Sequence, residues 1–430
     1  MNTDSRKKRI SYAFVHIMYL LFFTSLVFSF RAVSSISIAA ILLAGTILSR
    51  SWTSPFRLNN RNLFLAGSTL LFLLQILALL YTTNTQQAWI SIRIKTGLLI
   101  TPLAIYSTSY IITPIAKKLL AQYCLILFTA TLYCLCISYL NYQKNGDSSA
   151  FFYHSLVSPL NQHAVYFSLL VMISLLFLLE TIEKKHFIFT RLFHFSLIIY
   201  LSIFLFLLSS KLVIGFYIFF LLYYFIYFLQ KNKLNRLAIA GSLIVCITLV
   251  GLALTIRNPV SKRFSEIING DIKLVAQDRF DKGDYFNGLQ FRLLQWRFVA
   301  EILTENKCWL PGVSPGDAQD FLNKKYLSKN MYSGEPERGD RGYLIYNTHN
   351  QFLETLLQNG IIGLSVLLIM CFSLVKMAVN KENRMTSFII MLLLAWLFTE
   401  SVFETQYGII IFTFFPLFMT ASKTEKRTFS

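Results

Sequence analysis

The sequence predicts an all-α polytopic membrane protein of about twelve transmembrane helices, with one large, mainly helical extramembrane loop between helices nine and ten. Three observations carry that prediction. Hydrophobic residues make up 55% of the 430 positions and charged residues only 14%, with a mean hydropathy of +0.54, far from an average soluble domain. Apolar runs of the ~17–25 residues needed to cross about 30 Å of hydrocarbon recur along almost the whole chain. Basic residues collect in every second connection, as they do in short cytoplasmic loops.

In chain order the runs fall at 12–30, 33–49, 63–81, 96–113, 118–140, 164–180, 192–209, 212–229, 237–256, 360–377, 386–403 and 406–421. Arg6–Arg9, Arg50, Arg57 and Arg61, Lys117 and Lys118, Lys184, Lys185 and Arg191, Lys231, Lys233 and Arg236, Lys376, Lys381 and Arg384, and Lys423, Lys426 and Arg427 mark one side. The short connections on the opposite side hold only Arg31, Arg93, Lys95, Lys144 and Lys211. This pattern predicts cytoplasmic termini and an outer segment at 257–359. It divides the chain into helices one to nine (1–256), the outer loop (257–359) and helices ten to twelve (360–430). The net charge of +19 is then mainly a topology signal and does not argue for a nucleic-acid partner. The first apolar run lacks a small-residue cleavage site and reads as an uncleaved helix.

Cys124, Cys134, Cys136, Cys246 and Cys371 fall inside predicted spans, and Cys308 is alone in the outer loop, so no disulfide forms within that loop. No CxxC pair or His/Cys cluster has zinc spacing, and there is no GxxxxGK[ST] phosphate loop; no metal or nucleotide cofactor is expected. A loop of about a hundred residues in a compact membrane protein is the place to look for function.

Within it, 261–289 is mixed polar and partly helical in pattern, and "QFRLLQWRFVAEIL" (290–303) places Phe291, Leu294, Phe298 and Ile302 at helical spacing. Arg292 and Arg297 lie roughly 140° apart on that helix. Arg297 has Glu301 four residues on and reads as a surface ion pair, whereas Arg292 has no local carboxylate and is free to meet an anion. In "LPGVSPGDAQDFLNKKY" (310–326) the Pro and Gly residues stop one helix and start another, with Asp317 or Ser314 as the cap. The stretch 327–342 reads as a mobile polar loop.

"YNTHNQFLETLLQNGIIGL" (346–364) carries Phe352, Leu353, Leu356 and Leu357 as a stripe, which predicts a short amphipathic helix over 349–359 lying on the membrane surface. His349 falls in its first turn, outside the hydrocarbon, where an imidazole can take a proton from a hydroxyl near neutral pH. The bland use of such a residue is a helix cap.

The order of these features, a many-helix chain with an outer loop holding the "R…W…" helix, then "PGVSPG", then "THNQFLETLLQNGIIGL", resembles the O-antigen ligase and polymerase superfamily. The specific part spans about 290–364. The resemblance implies a GT-C-like fold in a bacterial inner membrane with the loop in the periplasm. It also implies a metal-independent, inverting glycosyltransferase that passes a glycan from an undecaprenyl-diphosphate carrier to a sugar hydroxyl, on the lipid A core in ligases. By position, His349 matches the family's essential histidine, the base for the acceptor, and Arg292 the loop arginine that holds the donor diphosphate. A third family position is an arginine at the outer end of a helix; here "LLSSKLVIGF" (207–216) places Lys211 there. Lysine keeps the charge and loses arginine's two-pronged grip on phosphate, and Lys211 reads equally as a lysine snorkelling from a hairpin. Implied partners are the lipid-linked glycan, a lipid-anchored or glycan acceptor, and membrane lipids.

His154 and His163 flank the start of the sixth span and read as interfacial residues outside the catalytic set; Arg93 and Lys95 read as interfacial anchors that can also meet lipid phosphates. A polymerase that joins repeat units on the carrier shares every feature above. A glycolipid transporter would place charges at mid-membrane and show paired broken helices. Here the charged groups of interest cluster outside, which favours surface chemistry.

Overall fold

The computed structural model describes residues 3–48, 60–184, 187–231, 272–379 and 384–421. The regular elements among them are helices: α1 (Thr3–Val27), α2 (Arg31–Leu48), α3 (Asn60–Leu77), α4 (Thr85–Lys95), α5 (Gly97–Asn145), α6 (Tyr153–Val157), α7 (Ala164–Glu183), α8 (Arg191–Leu207), α9 (Lys211–Lys231), α10 (Gly288–Glu305), α11 (Ala318–Ser328), α12 (Gln351–Ala378), α13 (Arg384–Leu397) and α14 (Gln406–Ala421), with short 3-10 turns between them. Four helical segments are long and apolar enough to cross a membrane, Asn60–Leu80, Thr85–Asn145, Ala164–Glu183 and Gln351–Ala378, and six shorter apolar helices accompany them. The protein is a multi-pass, all-helical membrane protein. The predicted ninth span, 237–256, lies outside the described residues, as does part of the 261–289 stretch.

Two details of the predicted span list change. The fourth and fifth spans are one continuous helix, α5, which runs through Pro102 and Pro114 and on over "AKKLLAQ", a run of strong helix formers. Its 49 residues would extend ~74 Å, and Lys117 and Lys118, expected in a connection, are exposed residues in mid-helix. The eleventh span, predicted to reach residue 403, ends at Leu397, which leaves Glu400 in a turn.

The chain folds as two compact units. One comprises Leu20–Ser34 and Lys117–Asn269, and the other Met1–Tyr19, Ser35–Ala116 and Gly270–Ser430. The first is built around α7, which is buried along most of its length and packs on α8 and α9. Tyr123 donates to the Leu170 carbonyl at 2.8 Å, and the His194 ring lies 3.1 Å from the Leu178 carbonyl.

In the larger unit α12 packs on α3 and α13. The segment from 272 to 350 carries its own apolar core. Phe291, Leu294, Phe298 and Ile302, the stripe predicted from sequence, are all buried there with Leu322 and Tyr326 of α11 and Leu357 of α12. α10 starts sharply because Asn287 and Gln290 cap each other's backbone: Gln290 N–H donates to Asn287 Oδ1 at 3.0 Å and Asn287 N–H to Gln290 Oε1 at 2.8 Å.

The predicted surface helix is instead the first two turns of α12, buried on both faces. Leu353, Leu356 and Leu357 pack into the loop core, while Gln351, Glu354, Thr355, Gln358 and Asn359 are buried on the other side. Their polar groups find partners within the protein, so the stripe that suggested a lipid surface faces the loop.

At Gly360 the helix breaks, with φ 61° and ψ −161°, a conformation open essentially to glycine. The break frees the Leu357 and Gln358 carbonyls, which accept from Val313 N–H (2.8 Å) and Ser314 N–H (3.1 Å), and frees Ile361 N–H to donate to Trp309 O at 2.9 Å. Cβ atoms at Gly312 or Gly360 would collide with the facing backbone. The "PGV" and "NGIIG" motifs are thus two halves of one backbone junction. Gly360→Ala is expected to lower stability by about 1–3 kcal/mol from its backbone conformation alone. Thermal unfolding of the purified protein in detergent measures this, and a melting temperature equal to wild type would contradict it.

Candidate functional site

His349 sits two residues ahead of α12, not in its first turn, and Asn350 is the cap, accepting from Phe352 N–H at 2.9 Å and Leu353 N–H at 3.1 Å. His349 itself has φ 45°, in the left-handed region that few side chains adopt. Its neighbours enforce that conformation. Asn347 Oδ1 accepts His349 N–H at 3.1 Å, and Thr348, fully buried, donates through Oγ1 to Glu354 Oε2 at 2.8 Å and through N–H at 3.2 Å. Tyr326 donates to the Tyr346 carbonyl at 3.0 Å. Burial pushes the Tyr326 phenol well above its ordinary range, so it stays a neutral donor. The imidazole is therefore presented from a rigid backbone.

The partner of that imidazole comes from the turn after α13. Glu400 Oε2 lies 3.4 Å from His349 Nδ1, and Glu400 Oε1 lies 3.6 Å from Arg292 Nη2. Arg292 also donates to the Thr399 carbonyl at 3.0 Å, and its Nε is buried with no hydrogen-bond partner among the described residues. The expectation that Arg292 has no carboxylate is corrected: local spacing offers none, but the fold brings one from over a hundred positions away. Arg297 does form the expected pair with Glu301, Nε to Oε1 at 2.6 Å, and adds Asp278 at 2.8 Å. His349 and Arg292 both line one cavity of about 410 Å³.

Behind this site lies a buried ionic network. Lys95, predicted as an interfacial anchor, is only 3% exposed; its Nζ sits 3.2 Å from Glu404 Oε1 and donates to Gln75 Oε1 at 3.1 Å and to Gln358 Oε1. Gln358 donates in turn to Glu354 Oε1 at 2.7 Å and Glu404 Oε1 at 2.9 Å, and Glu354 accepts from Thr348. α4 turns Lys95 inward while Arg93, two residues earlier, stays exposed as an anchor would. The sequence reading missed this because position beside a span says nothing about which way a side chain faces.

Of the two cap candidates, Ser314 Oγ accepts Asp317 N–H at 3.1 Å in the turn ahead of α11, whereas the Asp317 carboxylate turns elsewhere. That carboxylate accepts from Thr83 N–H (2.9 Å), Thr83 Oγ1 (2.7 Å), Asn84 N–H (2.8 Å) and Ser314 Oγ (2.8 Å). Partial burial opposes its charge, yet these donors outweigh burial and hold the carboxyl below the usual range. Asp317 thereby pins the outer segment to the turn ahead of α4.

Lys211 belongs to the other unit, where it opens α9 half-buried, directly after the Ser209–Ser210 turn. In that unit the His154 and His163 rings lie 4.4 Å apart edge to face, and His154 Nδ1 accepts Ala164 N–H at 3.4 Å. The stretch 327–342, expected to be mobile, closes on itself: Tyr343 N–H donates to Tyr332 O at 3.0 Å and Tyr332 OH to Asp340 Oδ2 at 2.7 Å.

The residues that sequence reasoning passed over are Glu400, Glu404, Glu354 and the inward role of Lys95. A signal was present in "FTESVFETQYG" (398–408), two carboxylates in an otherwise apolar stretch on the side of the membrane assigned to the loop. Residues 195–368, which include Lys211, Arg292, His349 and Gly360, match the family model described as O-antigen ligase. A search of curated proteins returns no match to the chain. In a multi-pass helical chain, this O-antigen ligase match over 195–368 supports membership of the O-antigen ligase superfamily.

Proposed function

We propose that this protein is an O-antigen ligase-like glycosyltransferase that moves a glycan from an undecaprenyl-diphosphate carrier to an acceptor sugar hydroxyl at the outer face of a bacterial inner membrane. The observation that carries this reading is the Glu400 carboxylate lying between the His349 imidazole and the Arg292 guanidinium. In the proposed step the acceptor hydroxyl gives its proton to His349 Nε2 as its oxygen attacks the anomeric carbon. The bond from that carbon to the diphosphate oxygen breaks, and the diphosphate leaves with the bonding pair. Attack opposite the leaving group inverts the anomeric centre, and the step as written needs no metal.

Each residue then has a physical task. Glu400 orients the imidazole through Nδ1, as a carboxylate does for a catalytic histidine elsewhere. Arg292, with an unspent Nε donor, stabilises charge developing on the bridging oxygen. Both substrates are lipid-anchored, which removes much of the entropy cost of encounter. Segment 257–359, which carries Arg292 and His349, is read as the periplasmic loop.

The test is surface-polysaccharide display in a deletion strain complemented with wild type or Arg292→Ala, with membrane levels matched and the length of carrier-linked glycan measured. Arg292→Ala is expected to lower display about tenfold or more, with long unattached chains accumulating on the carrier. Accumulation of single repeat units would assign the polymerase reaction instead. Wild-type display by the variant would contradict the role of Arg292.

A further inference from the structure

The cavity that His349 and Arg292 share has walls that the transfer chemistry does not require. They are aromatic: Tyr285, Phe286, Phe291, Tyr332, Tyr343 and Tyr346 line it, and among the described residues Arg292 and His349 are its only nitrogen-bearing ionisable side chains. At about 410 Å³ it lies toward the small end of the ~300–1,000 Å³ typical of small-molecule sites. The rings brace one another. Phe291 lies 4.9 Å from Tyr343 and 5.4 Å from Tyr346, Phe286 lies 5.7 Å from Tyr343, and Tyr346 lies 5.8 Å from the His349 ring.

We propose that this aromatic cleft is the acceptor subsite, and that it holds a sugar ring of the acceptor glycan by stacking so that one hydroxyl meets His349. The inference rests on the transferase reading above and names where its acceptor binds. A pyranose ring has an apolar C–H face and a polar rim; rigid tyrosines offer flat apolar surface with a hydroxyl at the edge, and they lose little conformational freedom on binding. A diphosphate has the opposite needs. Among the described lining residues Arg292 alone serves the diphosphate, and the six uncharged rings are left for a sugar.

Tyr285 and Gly288 make the proposal testable without disturbing the fold. Tyr285 is 75% exposed, far more open than packing alone would leave a core ring. Gly288 lines the cleft at the start of α10, and a side chain begun there meets open space. Gly288→Leu therefore obstructs the cleft from a helix position that accepts leucine readily.

The experiment measures apparent KM for acceptor and donor, and kcat, with the purified full-length protein in detergent micelles. Lipid A-core serves as the acceptor probe and an undecaprenyl-diphosphate-linked glycan as the donor. Tyr285→Ala is expected to raise the acceptor KM about fivefold to tenfold with donor KM and kcat unchanged, Tyr285→Trp to stay near wild type, and Gly288→Leu to raise it further. Melting temperatures for the three variants are expected to match wild type. If Tyr285→Ala and Gly288→Leu transfer with wild-type acceptor KM, the subsite is overturned while the transferase reading stands. If they raise the donor KM instead, the cleft holds the donor glycan and the acceptor assignment is overturned. Binding of lipid A-core that Gly288→Leu abolishes, with no transfer by wild type under any condition, would keep the sugar site and sink the transferase reading.

Discussion

Replacing His349 with alanine is expected to lower the transfer rate by roughly 10²–10⁴-fold, the usual contribution of a general base, with little change in donor affinity. The size follows from the absence of a substitute. Glu400 is the nearest carboxylate, but its two oxygens are engaged by His349 and Arg292. Glutamine at position 349 would keep polarity and lose the base, so it should be as poor as alanine. Glu400→Gln is expected to fall between these variants and wild type, because the imidazole remains but its ring is no longer fixed by a charge. Initial rates with defined lipid-linked donor check the series; His349→Ala at more than a tenth of the wild-type rate would contradict it.

Replacing Lys95 with methionine is expected to destabilise the protein by about 1–3 kcal/mol, the cost of removing a charged donor from acceptors of which Glu404 stays a quarter exposed. Lys95 Nζ is the cation facing Glu404, with Gln75 and Gln358 also aimed at it. Methionine fills a similar volume but leaves two amide oxygens without a donor and Glu404 with Gln358 alone donating to it. The double variant Lys95→Met/Glu404→Gln removes the charge from both sides and should recover most of the loss, the coupling expected of groups in one network. Thermal unfolding of the full-length protein in detergent measures both, and a single variant that melts with wild type would contradict the network's role. Because Gln358 and Glu354 extend the network to Thr348, beside His349, the folded fraction of Lys95→Met should also transfer more slowly.

Much of the fold is legible in the sequence because hydropathy and helical spacing are local properties. Phe291, Leu294, Phe298 and Ile302 read as one buried stripe and are one. The Arg297–Glu301 pair is four residues apart and forms as spacing predicts. Where the prediction fails, the deciding contact is distant in sequence. α5 runs on past Lys117 even though Pro114 offers a local stop. The start of α12 reads as a lipid-facing helix because its leucine stripe is visible, whereas the partners that bury its polar face, Gln75, Lys95 and Glu404, come from other helices.

The same distinction holds at the site. His349 and Arg292 stand out by motif, but Glu400 is separated from them by 51 and 108 positions, and no periodicity links the three. Gly360 opens the next span in the sequence, and its use is to admit the Leu310–Gly312 backbone, a contact between two turns nearly fifty residues apart. A single sequence shows which residues are chemically able; the fold decides which of them share a carboxylate.

The most direct test is single-turnover transfer by the purified full-length protein from an undecaprenyl-diphosphate-linked glycan to a lipid-anchored acceptor, wild type against His349→Ala at matched donor occupancy. The predicted result is a variant that binds donor as wild type does and forms product at least a hundredfold more slowly. Product formation by His349→Ala at the wild-type rate would contradict the assignment of His349 as the base.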